Sequence, residues 1–455
     1  MSFFDFGENN THTLFNFLQE ALAKNNEFEI RFGKFYQNKS NRTSFDSNVD
    51  IENFYSLKRM FDGQQIQKNI KNTTEFIYKR DRASVKRIID LSDNSETVML
   101  KQNLRNYDIY DYDLRISVSF ERTNGIKIEN GEQYELVRNK SRTSYILPFG
   151  SFDLTIVVQE DRFNKIQTKY EVELEINKMQ SDLIMQYLMV ILQNRQENFY
   201  VIPGNERRRV VSEYRDLVKN NYFIGAQPET LHKEKISNLY KQQYSVTDKA
   251  DGDRAFMFID KTGSVYFIDN NLAKIYQTNV KSCKQNEDEN TNENNSECSD
   301  KMYYSTIIDG ELVRHQNQIH FLSFDCLFYN GKDLRGQTKY DLKTRLNRLN
   351  HIVKTLSESH FYKISVKHYY FGNVFSGSKH ILDSVSENAY ANDGLIFTPV
   401  NEPYPLVKKW TSLLKWKPAE MNTIDFYAVK MPNNGNVGTI NAECVSGQGT
   451  INAEC

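Results

Sequence analysis

Lys249-Ala250-Asp251-Gly252-Asp253-Arg254 places a primary amine, carboxylates and a guanidinium within one turn of chain. An apolar run, Ala255 to Ile259, follows, so the lysine ends one strand and the glycine turns the chain into the next. An amine presented in this way, beside other cations or in a partly dry pocket, can attack an α-phosphate, forming a phosphoramidate and releasing pyrophosphate. Asp251 and Arg254 would grip the ribose and orient the amine. Asp-Gly is also an ordinary turn dipeptide, so the motif gains its meaning from what accompanies it.

Four more stations follow in order. Ile307 to Val313 is an apolar strand interrupted by Asp309 and Glu311, and His320 to Phe328 is a second strand, carrying Phe324 and Asp325. Asn392 to Pro399 carries Asp393, and Leu413-Leu414-Lys415-Trp416-Lys417-Pro418 sets two lysines on one strand face. This series resembles the covalent nucleotidyltransferases, the superfamily of messenger RNA capping guanylyltransferases and ATP-dependent polynucleotide ligases. The resemblance implies Lys249 as nucleophile. It assigns Asp251, Gly252, Arg254 and Glu311 to the nucleotide, with Arg254 and Glu311 at the ribose and Phe324 on the purine or in the core. It also implies Asp309, Asp325 and Asp393 as holders of metal or lysine, and Lys415 and Lys417 as neutralisers of the α-phosphate. Phe223 to Leu231 is similar to the opening of a capping-type transferase domain, which sets a boundary near Asn220.

The amino-terminal half reads as strands. Glu27 to Gly33 alternates strictly, with Glu27, Glu29 and Arg31 on one face and Phe28, Ile30 and Phe32 on the other. Further strands are expected at Glu75–Lys79, Val98–Lys101, Asp113–Glu121, Tyr134–Tyr145, Phe152–Val158 and Tyr170–Ile176, a spacing that predicts an antiparallel sheet or barrel. Charges repeat at period two along them: Asp113, Arg115, Ser117, Ser119 and Glu121; Arg138, Lys140 and Arg142; Glu171, Glu173 and Glu175. A solvated sheet face gives the same alternation. Like charges at neighbouring same-face positions repel unless neutralised, and closing the sheet would put them inside. A lumen with carboxylates at one end and cations at the other would hold a divalent metal and a polyphosphate together.

This half resembles the triphosphate tunnel metalloenzymes, the metal-dependent RNA triphosphatases of fungal and large-DNA-virus capping systems. The resemblance rests on Glu27/Glu29 and on Glu171/Glu173/Glu175. It implies Glu27, Glu29 and Glu175 as ligands of Mg²⁺ or Mn²⁺, supported by Glu171 and Glu173. It implies Arg115, Lys140 and Arg142 on phosphate oxygens and Glu121 orienting water. Asp153 and Thr155 match the family's Asp-x-Thr strand, with Ser151 where the fungal enzymes usually carry an arginine.

Helices are expected after Thr11 or Thr13, burying Leu14, Phe17, Leu18, Ala21 and Leu22, and from Ser181, burying Leu183, Ile184, Tyr187, Leu188, Ile191 and Leu192. Arg207-Arg208-Arg209 reads as an RNA contact or, more simply, as a solvated or ion-paired face. With 455 residues the chain suggests two or three domains, and a net charge of −1 confines any RNA contact to local patches. Five cysteines without a Cys-x-x-Cys spacing give neither a zinc site nor a disulfide framework, and no signal peptide or membrane-length apolar run is present. The expectation is an α+β protein. Residues 1–220 form an antiparallel β-barrel tunnel, and 221–420 a nucleotidyltransferase domain of antiparallel sheets with helices and a disordered insertion at 281–301. Residues 421–455 are expected to begin an oligonucleotide-binding (OB) fold too short to complete, ending in the repeat Gly-Thr-Ile-Asn-Ala-Glu-Cys, which is expected to be an artefact rather than part of the fold.

The function implied is messenger RNA capping. The chain would hydrolyse the γ-phosphate of 5′-triphosphate RNA, then transfer GMP from GTP through lysyl-GMP. A polynucleotide ligase using ATP at Lys249, or a non-catalytic RNA- or polymerase-binding scaffold, stand as alternatives. A separate methyltransferase and an RNA polymerase are candidate partners, a membrane is not. The cytoplasm is the expected location (a viral factory or virion if the source is viral), with the nucleus open for a cellular source.

Overall fold

The computed structural model describes residues 6–37, 42–80, 83–129, 131–282, 303–315, 317–384 and 390–421, together with the backbone of 426–430, 439–444 and 450–454. Nearly all of the expected 281–301 insertion lies outside the described residues. The chain divides into two compact units, Met1–Glu213 with Lys274–Asn279, and Tyr214–Ala273 with Val280–Cys455. No described helix is long and apolar enough to cross a membrane.

The first unit opens with helix α1 (Glu8–Ala23) and strand β1 (Glu27–Phe32), followed by a hairpin of β2 (Lys34–Gln37) and β3 (Thr43–Asp46), then helix α2 (Ile51–Asp62). Seven strands follow: β4 (Lys68–Arg80), β5 (Ala83–Asp90), β6 (Glu96–Ile109), β7 (Leu114–Arg122), β8 (Leu136–Leu147), β9 (Gly150–Asp161) and β10 (Ile166–Ile176). With β1 they close an antiparallel barrel in the order β1-β10-β9-β8-β4-β5-β6-β7. Closure explains the alternation. Phe28, Ile30 and Phe32 face outward into a core that also takes Leu14, Leu18, Phe54, Leu57 and Phe61 from α1 and α2, and Ile184, Leu188 and Ile191 from α3 (Ser181–Gln196). The charged face of each strand is left to line the lumen.

Two local expectations are corrected. Helix α1 has Gly7 at its N-cap, with no side-chain cap, and Thr11 lies within it, its hydroxyl donating to the Gly7 carbonyl at 3.0 Å. The hairpin β2–β3, helix α2, strand β5 and the helix that follows α3 add to the elements expected. In β5 the adjacent Lys86 and Arg87 break the period-two pattern. Helix α4 (Gly204–Val218) carries Arg207, Arg208 and Arg209, which face Asp113, Asp111 and Glu206/Glu213 respectively as ion pairs.

The second unit contains β11 (Gln227–Thr230), α5 (Asn238–Lys241), β12 (Tyr244–Ala250), β13 (Asp253–Ile259), β14 (Ser264–Asp269), β16 (Thr306–His315), β17 (Gln318–Tyr329), β18 (Lys332–Asp333), α6 (Leu342–Lys354), β19 (Tyr362–Val366), β20 (Tyr370–Phe371), α7 (Val374–Asp383), β21 (Asn392–Pro399) and β22 (Lys409–Trp416), while most of β15 (Ile275–Lys281) falls in the Lys274–Asn279 stretch of the first. One sheet runs β11-β22-β21-β12-β20, and β14-β13-β16-β17 belong to another. The lysine strand β12 lies inside the first, between β21 and β20, and the arginine strand β13 inside the second, between β14 and β16. The tight Asp251-Gly252 link between them therefore brings both sheets to one site. The backbone of Phe426–Lys430, Thr439–Cys444 and Thr450–Glu454 pairs as an antiparallel sheet, so the carboxy-terminal repeats take on strand structure.

Candidate functional site

The barrel lumen is a cavity of about 700 Å³ lined by seven carboxylates and eight cationic side chains. The register dictates the clustering: Glu29 pairs across to Glu175 and Arg31 to Glu173. The two signs are interleaved rather than segregated to opposite ends, because each buried carboxylate needs a neighbouring cation. Lys101 sits among three acids. Its ammonium contacts Glu27, donates to Glu29 at 3.2 Å and lies 3.1 Å from Glu121. Arg138 binds both oxygens of Glu171 at 2.8 Å, and Lys140 meets Glu75 at 2.8 Å. Arg31 donates to Glu173 at 2.9 Å.

These charges perturb one another. Burial, then the adjacent Glu29, pushes the Glu27 carboxyl up to about 8. Burial acts in the same direction on Glu29, but Lys101 and Arg31 outweigh it and hold that carboxyl down at about 2. Glu175 is raised by burial, then by Asp153 and Glu29. Burial lowers the Lys140 ammonium to about 8. Among the described residues no group of three His, Cys, Asp or Glu side chains converges as a metal cage. Glu27, Glu29 and Glu121 instead gather around a cation, the Lys101 ammonium. An all-oxygen donor set that already draws in a positive charge has the chemistry a hard divalent ion requires. Two buried polar atoms facing this space, Glu75 Oε2 and Arg138 Nε, have no hydrogen-bond partner, which marks capacity for a polar ligand.

Of the residues expected here, Glu27, Glu29, Glu121, Lys140, Arg142, Glu171, Glu173 and Glu175 line the cavity. Arg115, Asp153 and Thr155 do not. Arg115 is held by both oxygens of Asp108 at 2.7 and 2.9 Å, with Phe45 under its guanidinium. Asp153 and Thr155 stand behind Arg142, accepting from it at 2.9 and 3.1 Å, and so aim that arginine rather than touch the lumen. Arg31, Glu75, Lys86, Lys101 and Arg138 line the cavity without having been assigned from sequence. The available signal was the need of clustered glutamates for counter-charges at the same lumenal period.

In the second unit Lys249, at the end of β12, donates to Asp393 Oδ1 at 2.7 Å, and Lys417 lies 2.5 Å from Asp393 Oδ2. Glycine at 394 makes this possible. A Cβ there would meet the Trp416 carbonyl oxygen at 2.0 Å, so only glycine lets β22 come close enough to bring Lys417 to the carboxylate. Arg254, Glu311 and Phe324 line the same cavity as Lys249, with Lys367, Tyr369, Tyr404 and Trp410. Glu311 is raised to about 7 by burial, an effect opposed by Lys367, Lys249 and Arg254. Phe324 lies 5.6 Å from the Arg254 guanidinium. Lys415 shares a strand face with cavity-lining Leu413 and with Lys417, though it does not itself reach the lining.

Asp251 and Gly252 are corrected. They line a different depression, with Arg314, His315 and Tyr390. Gly252 serves the fold: a Cβ there would meet the Leu312 carbonyl oxygen at 2.5 Å. Asp309 and Asp325 do not hold Lys249 either. Asp309 binds Arg254 through both oxygens, at 3.0 and 2.6 Å, and Asp325 binds the fully buried Arg345 at 2.7 and 3.0 Å. Lys367, donating to the Asp248 carbonyl at 2.7 Å, is a wall residue that no sequence motif marked.

Residues 192–419 match the family described as mRNA capping enzyme, catalytic domain. The chain belongs to the mRNA capping enzymes. Residues 24–199 of this capping-enzyme chain match a second family, mRNA capping enzyme, beta chain. The "Probable mRNA-capping enzyme" of Acanthamoeba polyphaga mimivirus is 25% identical over 93% of this chain and 42% of its own length. The mRNA-capping enzyme subunit alpha of Kluyveromyces lactis is 32% identical over 47% of this chain and 48% of its own. The chain thus spans less than half the length of these curated relatives. The solved S. pombe Pct1 RNA triphosphatase aligns with 41% of this chain and 94% of its own at 18% identity, with a TM-score of 0.36.

Proposed function

We propose that this chain carries out the first two steps of messenger RNA capping. The barrel removes the γ-phosphate from 5′-triphosphate RNA. The second unit transfers GMP from GTP to the resulting diphosphate end through Lys249. The observation that carries the reading is the union in one chain of a closed, charge-lined tunnel with a pocket lysine whose carboxylate partner is shared with a second lysine.

In the tunnel, Arg138, Lys140 and Arg142 present cations to the β- and γ-phosphates, and Arg142 is aimed by Asp153 and Thr155. Glu121 orients the water that attacks the γ-phosphorus, and the bond to the bridging oxygen breaks, releasing inorganic phosphate and a diphosphate end. Glu27, Glu29 and Glu175 would hold Mg²⁺ or Mn²⁺, which supplies charge neutralisation at the γ-phosphate.

In the second unit the deprotonated Lys249 amine attacks the α-phosphorus of GTP. A P–N bond forms, the α–β bridging bond breaks, and pyrophosphate leaves. Lys417 faces the negative charge that develops at the α-phosphate. The RNA diphosphate oxygen then attacks the same phosphorus and returns the lysine. A methyltransferase and an RNA polymerase are the partners that this activity calls for.

The test uses the full chain with α-labelled GTP or ATP and, separately, γ-labelled triphosphate RNA, each with divalent metal. Label on the protein from GTP, lost in Lys249→Ala, and phosphate release lost in Glu29→Ala are expected. Charging by ATP alone would replace this reading with that of a ligase.

A further inference from the structure

The cavity that holds Lys249 contains a closed ring of polar contacts for which nucleotidyl transfer alone gives no role. Arg254 donates from Nε to Asp309 Oδ1 at 3.0 Å, from Nη2 to Asp309 Oδ2 at 2.6 Å and to Tyr404 Oη at 3.3 Å, and from Nη1 to the Ala226 carbonyl at 2.5 Å. A guanidinium has five N–H groups. Four are therefore committed to protein, and one, on Nη1, takes part in none of these bonds, on a side chain that lines the cavity.

The Tyr404 hydroxyl closes the ring and is itself saturated. It accepts from the Ala226 N–H at 2.6 Å and from Arg254, and donates its proton to Asp309 Oδ2 at 2.7 Å. Asp309 is fully buried, so each of its contacts is made without competing water. The tyrosine is fixed from behind as well: its ring packs on Trp410 at 5.3 Å, and its carbonyl accepts from Gly336 N at 2.8 Å. Removing the hydroxyl alone would leave the Ala226 N–H unpaired and Asp309 Oδ2 short of a donor. The Arg254 fork could then rock about its remaining contacts.

We propose that Tyr404 is a positioning residue for nucleotide capture, its hydroxyl clamping Asp309 and Arg254 so that the remaining Nη1 N–H is presented to GTP at a fixed angle. The inference rests on the reading that Lys249 is charged from GTP. It predicts a defect in nucleotide affinity with the maximal charging rate largely kept, because Tyr404 acts through Arg254 and not on the reacting atoms.

The experiment has two parts, both on the full chain. With α-labelled GTP, Tyr404→Phe is expected to raise the half-saturating GTP concentration about tenfold, the effect of one lost buried hydrogen bond, while phosphate release from triphosphate RNA is unchanged. In a Lys249→Ala background, where no covalent bond forms, binding of a fluorescent GTP analogue is then compared for Tyr404→Phe, Arg254→Lys and the pair. If the tyrosine acts through the arginine, the pair binds no more weakly than Arg254→Lys alone. Additive losses, or an unchanged affinity in Tyr404→Phe, overturn the inference. So does loss of a cooperative melt in Tyr404→Phe, since the hydroxyl would then serve the fold and not the arginine. A wild-type chain that takes no label from GTP defeats the underlying reading. A labelled wild type with an indistinguishable Tyr404→Phe defeats only the role of the tyrosine.

Discussion

Lys249 Nζ donates to Asp393 Oδ1 at 2.7 Å while the other oxygen of that carboxylate takes Lys417 at 2.5 Å. One anion thus holds two ammonium groups side by side. Replacing it with an amide leaves two like charges without their common partner. Asp393→Asn is expected to slow lysyl-GMP formation roughly ten- to a hundredfold, the scale of a misplaced reacting group, with phosphate release from RNA unaffected. Unchanged labelling kinetics would remove Asp393 from the mechanism.

The approach of β22 to Asp393 depends on Gly394, whose missing Cβ makes room for the Trp416 carbonyl. Gly394→Ala is expected to destabilise the second unit by about 1–3 kcal/mol or more and to abolish charging by carrying Lys417 away. A thermal melt together with the labelling gel checks both; a wild-type melt would mean that the strand shifts at little cost.

Lys101 is the cation shared by Glu27, Glu29 and Glu121. Lys101→Ala leaves clustered acids, and in chelator it is expected to lower stability by on the order of 3 kcal/mol. A divalent ion at a hundred times its Kd would return about 2.7 kcal/mol. Denaturant titrations with and without Mg²⁺ should therefore show a larger metal effect in the variant than in wild type; equal effects would argue against Glu27 and Glu29 as the ion's ligands.

Glu311 gives a pH signature. Burial raises its carboxyl to about 7 from the ordinary 4.5. Between these values the folded chain keeps a proton that the unfolded chain has lost, so stability falls as pH rises. The contribution is fully present below about 4.5 and gone above about 7. Glu311→Gln is expected to flatten this part of the stability–pH curve relative to wild type. Parallel curves for the two proteins would assign the slope to other groups.

The barrel was legible in sequence because a lumen imposes period two on charge, and Glu27/Glu29/Arg31 and Glu171/Glu173/Glu175 carry that period without interruption. Strand β5 was not, since Lys86 and Arg87 are adjacent and only one can face inward. Lys101 escaped for another reason: a single lysine on a strand has no pattern, and its meaning comes from three acids brought to it by closure. In the second unit the motif spacing led to Lys249, Arg254, Glu311 and Asp393. It misplaced Asp251 and Gly252, because a residue's nearness in sequence to the lysine says nothing about which side of a tight turn it faces. Tyr404 was beyond reach, since its partner Asp309 is 95 positions away and the contact is purely tertiary.

The interleaving of charge in the lumen also has a consequence for ligand exchange. With Glu75 on Lys140, Glu171 on Arg138 and Lys101 on three glutamates, the tunnel acts as its own counter-ion atmosphere. A polyphosphate arriving with its cation brings both signs at once, so binding proceeds as a swap of partners that creates no net charge inside the barrel. Departure of the products reverses the swap. The wall can then cycle between self-pairing and ligand-pairing on every turnover, with no stage at which a cluster of one sign stands alone.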